Sequence, residues 1–161
     1  MLEEAKRMLA DEVERLNHEL GVTLPEALKK ALAMGDLREN GDYHAALERQ
    51  GFVQARLSHL RSRLAKLNSI DVSKIPADSA GLGSKVVVED LALKRRENYE
   101  LVVPDSMNFD DPTQISIASP LGRAMVEKKP GDIVVVQLPG GVRKLKILEV
   151  VTFHQQAAAG D

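Results

Sequence analysis

A heptad pattern of apolar residues restricts the fold of this chain more than any other feature. Its members recur at alternating intervals of four and three and are Ala46, Gln50, Val53, Leu57, Leu60, Leu64 and Leu67. This spacing places a single seam along one side of an α-helix. No proline occurs from Tyr43 to Leu67, so such a helix would extend roughly 37 Å. We therefore predict a long helix that must bury its seam against a partner.

The amino-terminal segment supplies a matching stripe of apolar residues. They are Leu2, Ala5, Leu9, Val13, Leu16 and Leu20. We predict that Gly21 ends this helix in the left-handed conformation and that Thr23 to Glu26 form a capping box for a second helix. This second helix should run to Met34 and stop at Gly35. The two arms then pack as an antiparallel hairpin, and Gly51 is expected where the backbone of the facing helix comes close.

A change in composition separates this helical part from the rest of the chain. Six of the seven prolines follow Ile75, and proline, glycine and serine are concentrated between Asp71 and Ser84, which is typical of a linker. We predict strands at 85–88, 97–103, 114–118, 132–138 and 143–153. Pro139 to Gly141 indicate a hairpin turn, and Ser119-Pro120 indicates the start of a short helix.

These patterns predict an α+β protein with two parts. A helical hairpin, or coiled coil, occupies residues 1–75 and has its tip at 35–42. A linker at 76–83 leads to a small antiparallel β domain with one short helix at 84–155, and 156–161 form a flexible tail.

Composition excludes several classes of function. The 22 basic and 24 acidic residues give a net charge of −2, so no overall field draws the molecule to nucleic acid or a membrane. The chain has no cysteine, which excludes disulfides and thiolate metal sites. No apolar run is long enough to span a bilayer, and we expect a cytoplasmic protein. No nucleophilic triad or phosphate-binding loop is present, so we do not expect an autonomous enzyme.

Acidic residues are concentrated at the predicted tip, at Asp36, Glu39 and Asp42. If Asp36 and Glu39 lie in one helical turn, their spacing brings the Cβ atoms to roughly 5–6 Å, close enough to share a cation. Magnesium commonly takes one or two protein carboxylates together with waters and substrate phosphates, so this pair would be an incomplete site. Alternatively, Asp36 could cap a helix with Glu39 at its third position, which requires no function, and the residues alone favour this interpretation. For His44 we expect a surface or packing role.

Arginines recur at seven-residue intervals along the second arm, at Arg49, Arg56 and Arg63. Such a stripe could follow a phosphate backbone. It could equally be a coiled-coil flank that pairs with acids of the first arm; these are Glu12, Glu14 and Glu19. The residues alone leave both interpretations open.

The segment from Gly35 to Phe52, GDLRENGDYHAALERQGF, closely resembles the coiled-coil tip of the bacterial transcript cleavage factors of the GreA/GreB family. Further segments resemble the same family at Ile70–Val72, Ser119–Ala124, Gly131-Asp132 and Pro139–Gly141. The resemblance implies an FKBP-like carboxy-terminal domain that docks on bacterial RNA polymerase and a hairpin that enters its secondary channel. The partners would be the polymerase and the 3′ end of the nascent RNA, with no membrane and no small-molecule substrate.

The resemblance also implies roles for individual residues. Asp36 and Glu39 would be the catalytic acids, holding a Mg²⁺ shared with the polymerase and not bound tightly by the isolated chain. The polymerase's own cleavage of backtracked RNA would thereby be stimulated. Residues in contact with RNA or polymerase would be Arg38, Asn40, Tyr43, Arg49 and Arg56. The docking residues would be Ser119, Pro120, Leu121 and Gly122.

Three other functions compete with transcript cleavage. A paralogue of the family could enter the same channel and inhibit or modulate the polymerase without cleavage. A prolyl isomerase would suit an FKBP-like fold, but Tyr99, Phe109 and Phe153 are the domain's only aromatic residues, few for an aromatic-lined pocket. A plain coiled-coil tether would tolerate loss of the tip acids.

Leu32 and Leu47 stand where relatives often carry basic residues, which would weaken capture of the RNA end.

Overall fold

A computed structural model describes residues 1–36 and 38–160, and the chain divides into two compact units. The first unit holds Glu3–Ile70, and the second holds Met1–Leu2 together with the chain from Asp71 onward. Among the described residues, the regular elements of the first unit are helices, and the second unit contains the sheet. An α+β chain with a helical amino-terminal region and a β-rich carboxy-terminal region is therefore confirmed.

The helical unit contains α1 (Leu2–His18), a π-helical segment (Glu19–Thr23), α2 (Leu24–Leu32) and α3 (Gly41–Asn68). Helix α2 packs against α3. Five of the seven heptad residues of α3 are buried, whereas Gln50 and Leu64 are half-buried. Within the helical unit, the stripe of the first arm is buried at Ala5, Leu9 and Leu16 and half-buried at Val13 and Leu20. The structure thus confirms the predicted helical hairpin and its apolar seam.

The junction between α1 and α2 differs from the prediction. Gly21 does not adopt a positive φ, and Thr23 has helical angles with no side-chain capping bond. The chain instead continues through the π-helical segment, in which the Leu24 amide donates to the Glu19 carbonyl. Pro25 explains this, because its ring lacks an N–H and crowds the carbonyl four residues earlier. A wider turn relieves that crowding without breaking the arm.

Gly51 also departs from the prediction of a close facing backbone. It lies exposed in α3, and a Cβ atom built at this position meets no heavy atom within 4 Å. The hairpin therefore gains no packing from the missing side chain, and α3 retains only the conformational penalty of an internal glycine.

The second unit is built on a five-stranded sheet in the order β3-β2-β1-β5-β4. The strands are β1 (Lys85–Asp90), β2 (Arg95–Val102), β3 (Gln114–Ser116), β4 (Ile133–Leu138) and β5 (Gly141–Val151). Strands β1, β2, β4 and β5 pair antiparallel, as predicted. Strand β3 pairs parallel to β2, so the prediction of a purely antiparallel sheet is wrong at this edge. The long connection after β2, which contains a 3₁₀ turn at Pro104–Ser106, makes the parallel pairing possible.

Two local signals in this unit are confirmed. Leu138 pairs with Gly141, which leaves Pro139-Gly140 as a two-residue turn. Ser119 caps α4 (Pro120–Met125) by accepting from the Gly122 amide. Helix α4 packs on β4 and β3 and adds Met125 to the core. The other buried residues of this core are Ala80, Val86, Val88, Leu101, Val134, Val136, Leu145 and Ile147.

Residues 76–83, which the sequence predicts to be a linker, belong to the β-rich unit. Ala80 is fully buried, and its backbone exchanges hydrogen bonds with Glu127 and Lys128. The predicted tail at 156–161 likewise begins inside a helix, α5 (Phe153–Ala159). Thr152 and Gln155 form a capping box at its start, which the sequence analysis overlooked.

A network of charged side chains crosses β1, β2 and β5. The Arg143 guanidinium donates to Asp90 at 2.9 Å and to Glu97 at 2.7 Å, and the Tyr99 hydroxyl donates to Glu97 at 2.6 Å. The Leu93 amide, then Arg143, lower the pKa of Asp90. Burial by itself would raise the pKa of Glu97, but hydrogen bonds from Tyr99, Arg143 and other donors lower it overall. Both carboxylates are therefore stabilised in the ionised form.

This network predicts acid sensitivity of the β-rich unit. Because the folded pKa values of Asp90 and Glu97 lie below their ordinary values of 3.8 and 4.5, the folded state binds fewer protons than the unfolded state near those values. The stabilisation is thus present above about pH 5 and is lost as the pH falls through the folded pKa values. Thermal unfolding of the unit, followed between about pH 2 and pH 7, should show this fall. Arg143→Met should lower stability at pH 7 and flatten the dependence; an unchanged slope in this variant would contradict the assignment.

The open surroundings of Gly51 predict that Gly51→Ala stabilises the hairpin. Alanine restricts the unfolded chain and favours the helix, so the free energy of unfolding should rise by about 0.5–1 kcal/mol. Thermal or urea unfolding, followed by the helical circular dichroism signal, measures the change. Gly122→Ala serves as the opposite control, because its Cβ would lie 2.0 Å from the Ser116 carbonyl oxygen and should destabilise the β-rich unit. A lower midpoint for Gly51→Ala would show that the site is not open.

Candidate metal-binding tip

The tip connects the end of α2 to the start of α3. Gly35 has a φ of +113°, which permits the reversal that ends the first arm. Asp36 and Glu39 follow as exposed residues. Both line one open concavity of about 380 Å³; the other lining residues are Met34, Asn40, Gly41 and Asp42. The structure therefore brings the two predicted acids to a common, solvent-accessible site.

Neither acid belongs to a helix, which corrects two expectations. Helix α3 begins at Gly41 and its N-cap is Asn40, so the interpretation of Asp36 as a capping residue is wrong. The i,i+3 spacing within a helical turn is not realised either, since Asp36 and Glu39 both precede the helix. One oxygen of Asp36, Oδ1, accepts a hydrogen bond of 3.0 Å from the Arg38 amide. This bond gives the exposed Asp36 carboxylate a backbone partner two residues later in the chain.

Asn40 joins the two arms at the tip. Its Oδ1 accepts from the Tyr43 amide at 3.1 Å, which satisfies one of the free N–H groups at the start of α3. Its Nδ2 donates to the carbonyl of Ala31 near the end of α2. The predicted role of Asn40, contact with RNA or polymerase, does not include this structural role. An asparagine directly before a long helix was the available signal, because asparagine is among the preferred N-cap residues.

His44, for which a surface or packing role is predicted, contacts two of the predicted contact residues, Arg38 and Tyr43. His44 places Nε2 3.3 Å from the Arg38 carbonyl oxygen, and its ring packs edge-on against Tyr43 with centroids 5.7 Å apart. Since a carbonyl only accepts, the bond requires the proton on Nε2. Arg38 itself is exposed and Tyr43 is half-buried. Whether Arg38 and Tyr43 contact RNA or polymerase stays a prediction.

The arginines of α3 pair with acids of the first arm. Arg49 contacts Glu19 at 2.6 Å and Arg56 contacts Glu12 at 3.0 Å. The hydrogen bond from Arg49 lowers the pKa of Glu19 and raises that of Arg49. The Arg49 guanidinium also lies 5.1 Å from the ring centre of Phe52. These contacts favour the coiled-coil flank over a phosphate-binding stripe, and contact of Arg49 and Arg56 with RNA or polymerase stays a prediction.

The four predicted docking residues lie around the start of α4. The Ser119 hydroxyl donates to the Ser116 carbonyl at 2.6 Å while it caps the helix. Gly122 is buried against the same carbonyl, and Leu121 packs partly against the core. Only Pro120 among the four is exposed. Their role in docking stays a prediction, and Pro120 is the member most open to contact.

The donor set at the tip suits a hard cation held jointly with another molecule. In the part of the chain that the structure describes, no group of three or more His, Asp or Glu side chains is arranged to hold a metal. Two exposed carboxylates on one concavity are nevertheless the protein ligands that Mg²⁺ commonly takes when waters and phosphates supply the rest. Asp36 and Glu39 therefore fit a shared magnesium ion.

Comparison with known families covers nearly the whole chain. Residues 1–68 match the family described as "Transcription elongation factor, N-terminal", and residues 75–152 match "Transcription elongation factor, GreA/GreB, C-term". The chain belongs to the GreA/GreB family. It is a transcription elongation factor, and as such it acts through RNA polymerase.

Individual GreA/GreB relatives match over similar lengths. Transcription elongation factor GreA of Methylococcus capsulatus is 38% identical over 141 residues, covering 85% of this chain and 89% of the relative. GreA of Nitratidesulfovibrio vulgaris is 39% identical over 142 residues, covering 88% of each. GreA of Clostridium kluyveri is 37% identical over 150 residues, covering 93% and 94%.

Solved structures of two family members are also similar. GreA factor homolog 1 of Thermus thermophilus is 25% identical, with a TM-score of 0.41 and coverage of 90% and 93%. The GreA/GreB factor from Nitrosomonas europaea is 27% identical, with a TM-score of 0.42 and coverage of 64% and 89%. At these TM-scores the family assignment rests on the sequence matches. No helix in the described part of the chain combines the length and apolar character needed to cross a membrane.

Proposed function

We propose that this GreA/GreB factor presents Asp36 and Glu39 to the active site of bacterial RNA polymerase and so stimulates cleavage of backtracked RNA. The observation that carries the proposal is the placement of both carboxylates on one open concavity at the end of a two-helix arm. Helix α3 has 28 residues, so it extends roughly 42 Å. That length suits a side chain that must act inside a channel while the rest of the factor remains outside.

Asp36 and Glu39 would act by providing oxygen ligands where the polymerase alone supplies too few. A magnesium ion bound there would supply Lewis acidity and an activated water for phosphodiester hydrolysis. Asp36 keeps its carboxylate oriented through the Arg38 amide, whereas Glu39 is exposed beside it. The chain itself contributes ligands and position, and the polymerase contributes the remaining catalytic groups. The factor is thus a stimulator of the polymerase's reaction and not an enzyme on its own.

The β-rich unit would dock on the polymerase through the start of α4. Pro120 is exposed there, and the capping bond of Ser119 fixes the backbone around it. The 3′ end of the nascent RNA, held by the polymerase, would contact the tip. Leu32 and Leu47, which are exposed on the two arms near the tip, offer no positive charge to that RNA. Cleavage would then depend mainly on the polymerase to hold the transcript.

The proposal predicts that Asp36→Asn and Glu39→Gln strongly reduce stimulation while polymerase binding persists. Both changes remove charge but keep shape, and the amide oxygen introduced by Asp36→Asn can still accept from the Arg38 amide. We expect transcript shortening from the 3′ end of a stalled, backtracked cognate complex to slow by roughly 100-fold. Gel analysis of end-labelled RNA measures the rate, and fluorescence anisotropy of the labelled factor measures binding.

Asp42→Asn is the matched control, because Asp42 lines the same concavity but lies in the first turn of α3. It should change the cleavage rate by less than about threefold if specific ligands and not local charge are required. If the native factor binds the polymerase and never shortens the transcript, cleavage stimulation is wrong. The factor would then be an inhibitory or modulating member of the family.

A further inference from the structure

Asn40 occupies an unusual place between the two arms of the hairpin. One side of its amide group satisfies the Tyr43 amide of α3, and the other side donates to the Ala31 carbonyl of α2. The Ala31 carbonyl also accepts from the Met34 amide, so both of its lone pairs are engaged. A single side chain therefore links the last turn of one helix to the first turn of the next.

The two tip acids lie between these anchored points. Asp36 is joined to Arg38 through the Arg38 amide, and the Arg38 carbonyl is held by His44 of α3. Glu39 immediately precedes Asn40. The position of the Glu39 backbone is therefore set by the Asn40 link on one side and by the Arg38–His44 contact on the other.

Apolar packing does not fix the tip in the same way. Leu32 and Met34 are 51% and 73% exposed, so the residues that flank the acids on the α2 side bury little surface. Polar bonds are directional and short, and they fix a loop only as well as their anchors are fixed. Here the anchors are backbone groups of two packed helices.

We propose that Asn40 is a positioning residue, which sets the location of the Glu39 and Asp36 carboxylates by tying α2 to α3. This inference rests on the proposed function of the two acids. The Asn40 side chain is committed to the protein backbone in both directions, so it acts through the acids and need not touch RNA or the polymerase. A displacement of about 1 Å at a catalytic group can reduce a rate by roughly 100-fold. Loss of the single hydrogen bond between Asn40 and Ala31 can therefore lower the cleavage rate strongly.

Two substitutions distinguish the effect of the Asn40–Ala31 hydrogen bond from that of the helix cap. Asn40→Ser keeps an oxygen that can cap α3, but the shorter side chain cannot reach the Ala31 carbonyl. Asn40→Ala loses both bonds. Ala55→Gly is the matched control for stability, because Ala55 is exposed in the middle of α3 and glycine weakens the helix away from the tip.

The first measurement is the cleavage rate as a function of factor concentration. We expect Asn40→Ser and Asn40→Ala to lower the maximal rate at least tenfold, with the half-saturating concentration changed less than about twofold. Ala55→Gly should leave the maximal rate unchanged. A wild-type maximal rate for Asn40→Ser, a loss confined to the half-saturating concentration, or an equal loss in Ala55→Gly overturns the proposal.

The second measurement does not depend on activity. The backbone order parameter of the Glu39 amide, measured by NMR on the free factor, should fall in both Asn40 variants and stay constant in Ala55→Gly. Hydrogen-exchange protection of the Tyr43 amide should be lost in Asn40→Ala and kept in Asn40→Ser. If the wild-type factor never cleaves, the proposed function fails, and the Glu39 order parameter alone decides the role of Asn40. An unchanged value in Asn40→Ser then overturns it.

Discussion

Burial of one apolar seam holds the helical unit together, and the position of the tip depends on it. Val53, Leu57 and Leu60 of α3 are no more than 1% exposed, and each such side chain contributes about 1.5–3 kcal/mol on burial. The ion pairs of Arg49 and Arg56 are partly exposed, and exposed ion pairs add little to stability because solvent screens them. The seam therefore provides the stability of the hairpin, while the ion pairs favour one register of the arms. An isolated helix of this kind would be marginal in water.

Carboxylates serve two different purposes in this chain. Asp90 and Glu97 are held by Arg143 and by further donors, so their charge is neutralised within the fold and is not available to a ligand. At the tip, Asp36 accepts one hydrogen bond from a backbone amide, and Glu39 forms no hydrogen bond or ion pair with any other described residue. The same kind of side chain thus stabilises the β-rich unit where cations surround it. At the tip, no cation of the described residues pairs with the Glu39 carboxylate, so this side chain is available to bind a ligand.

Features that depend on local chemistry could be predicted from the sequence. The heptad of α3, the Ser119 cap and the Pro139-Gly140 turn each require only residues close together in the chain. Features that depend on tertiary contacts could not. The backbone bonds of Ala80 to Glu127 and Lys128 join segments distant in sequence, and the Arg143 network joins residues more than 40 positions apart. The π-helical segment has a local cause, the crowding by Pro25. Helix propensity predicts that the helix breaks there, whereas the arm continues through one wider turn.

The candidate site divides along the same line. The identity of the two acids could be inferred from their sequence context, but their relation to the helix could not, because Asp36, Glu39 and Asn40 are all acceptable N-cap or first-turn residues. Only one of them can occupy the cap. Because Asn40 occupies the cap, Asp36 and Glu39 do not stabilise the helix, and both side chains stay exposed. The choice of cap therefore decides which side chain of the tip has the structural role and which two acids are left for the proposed metal site.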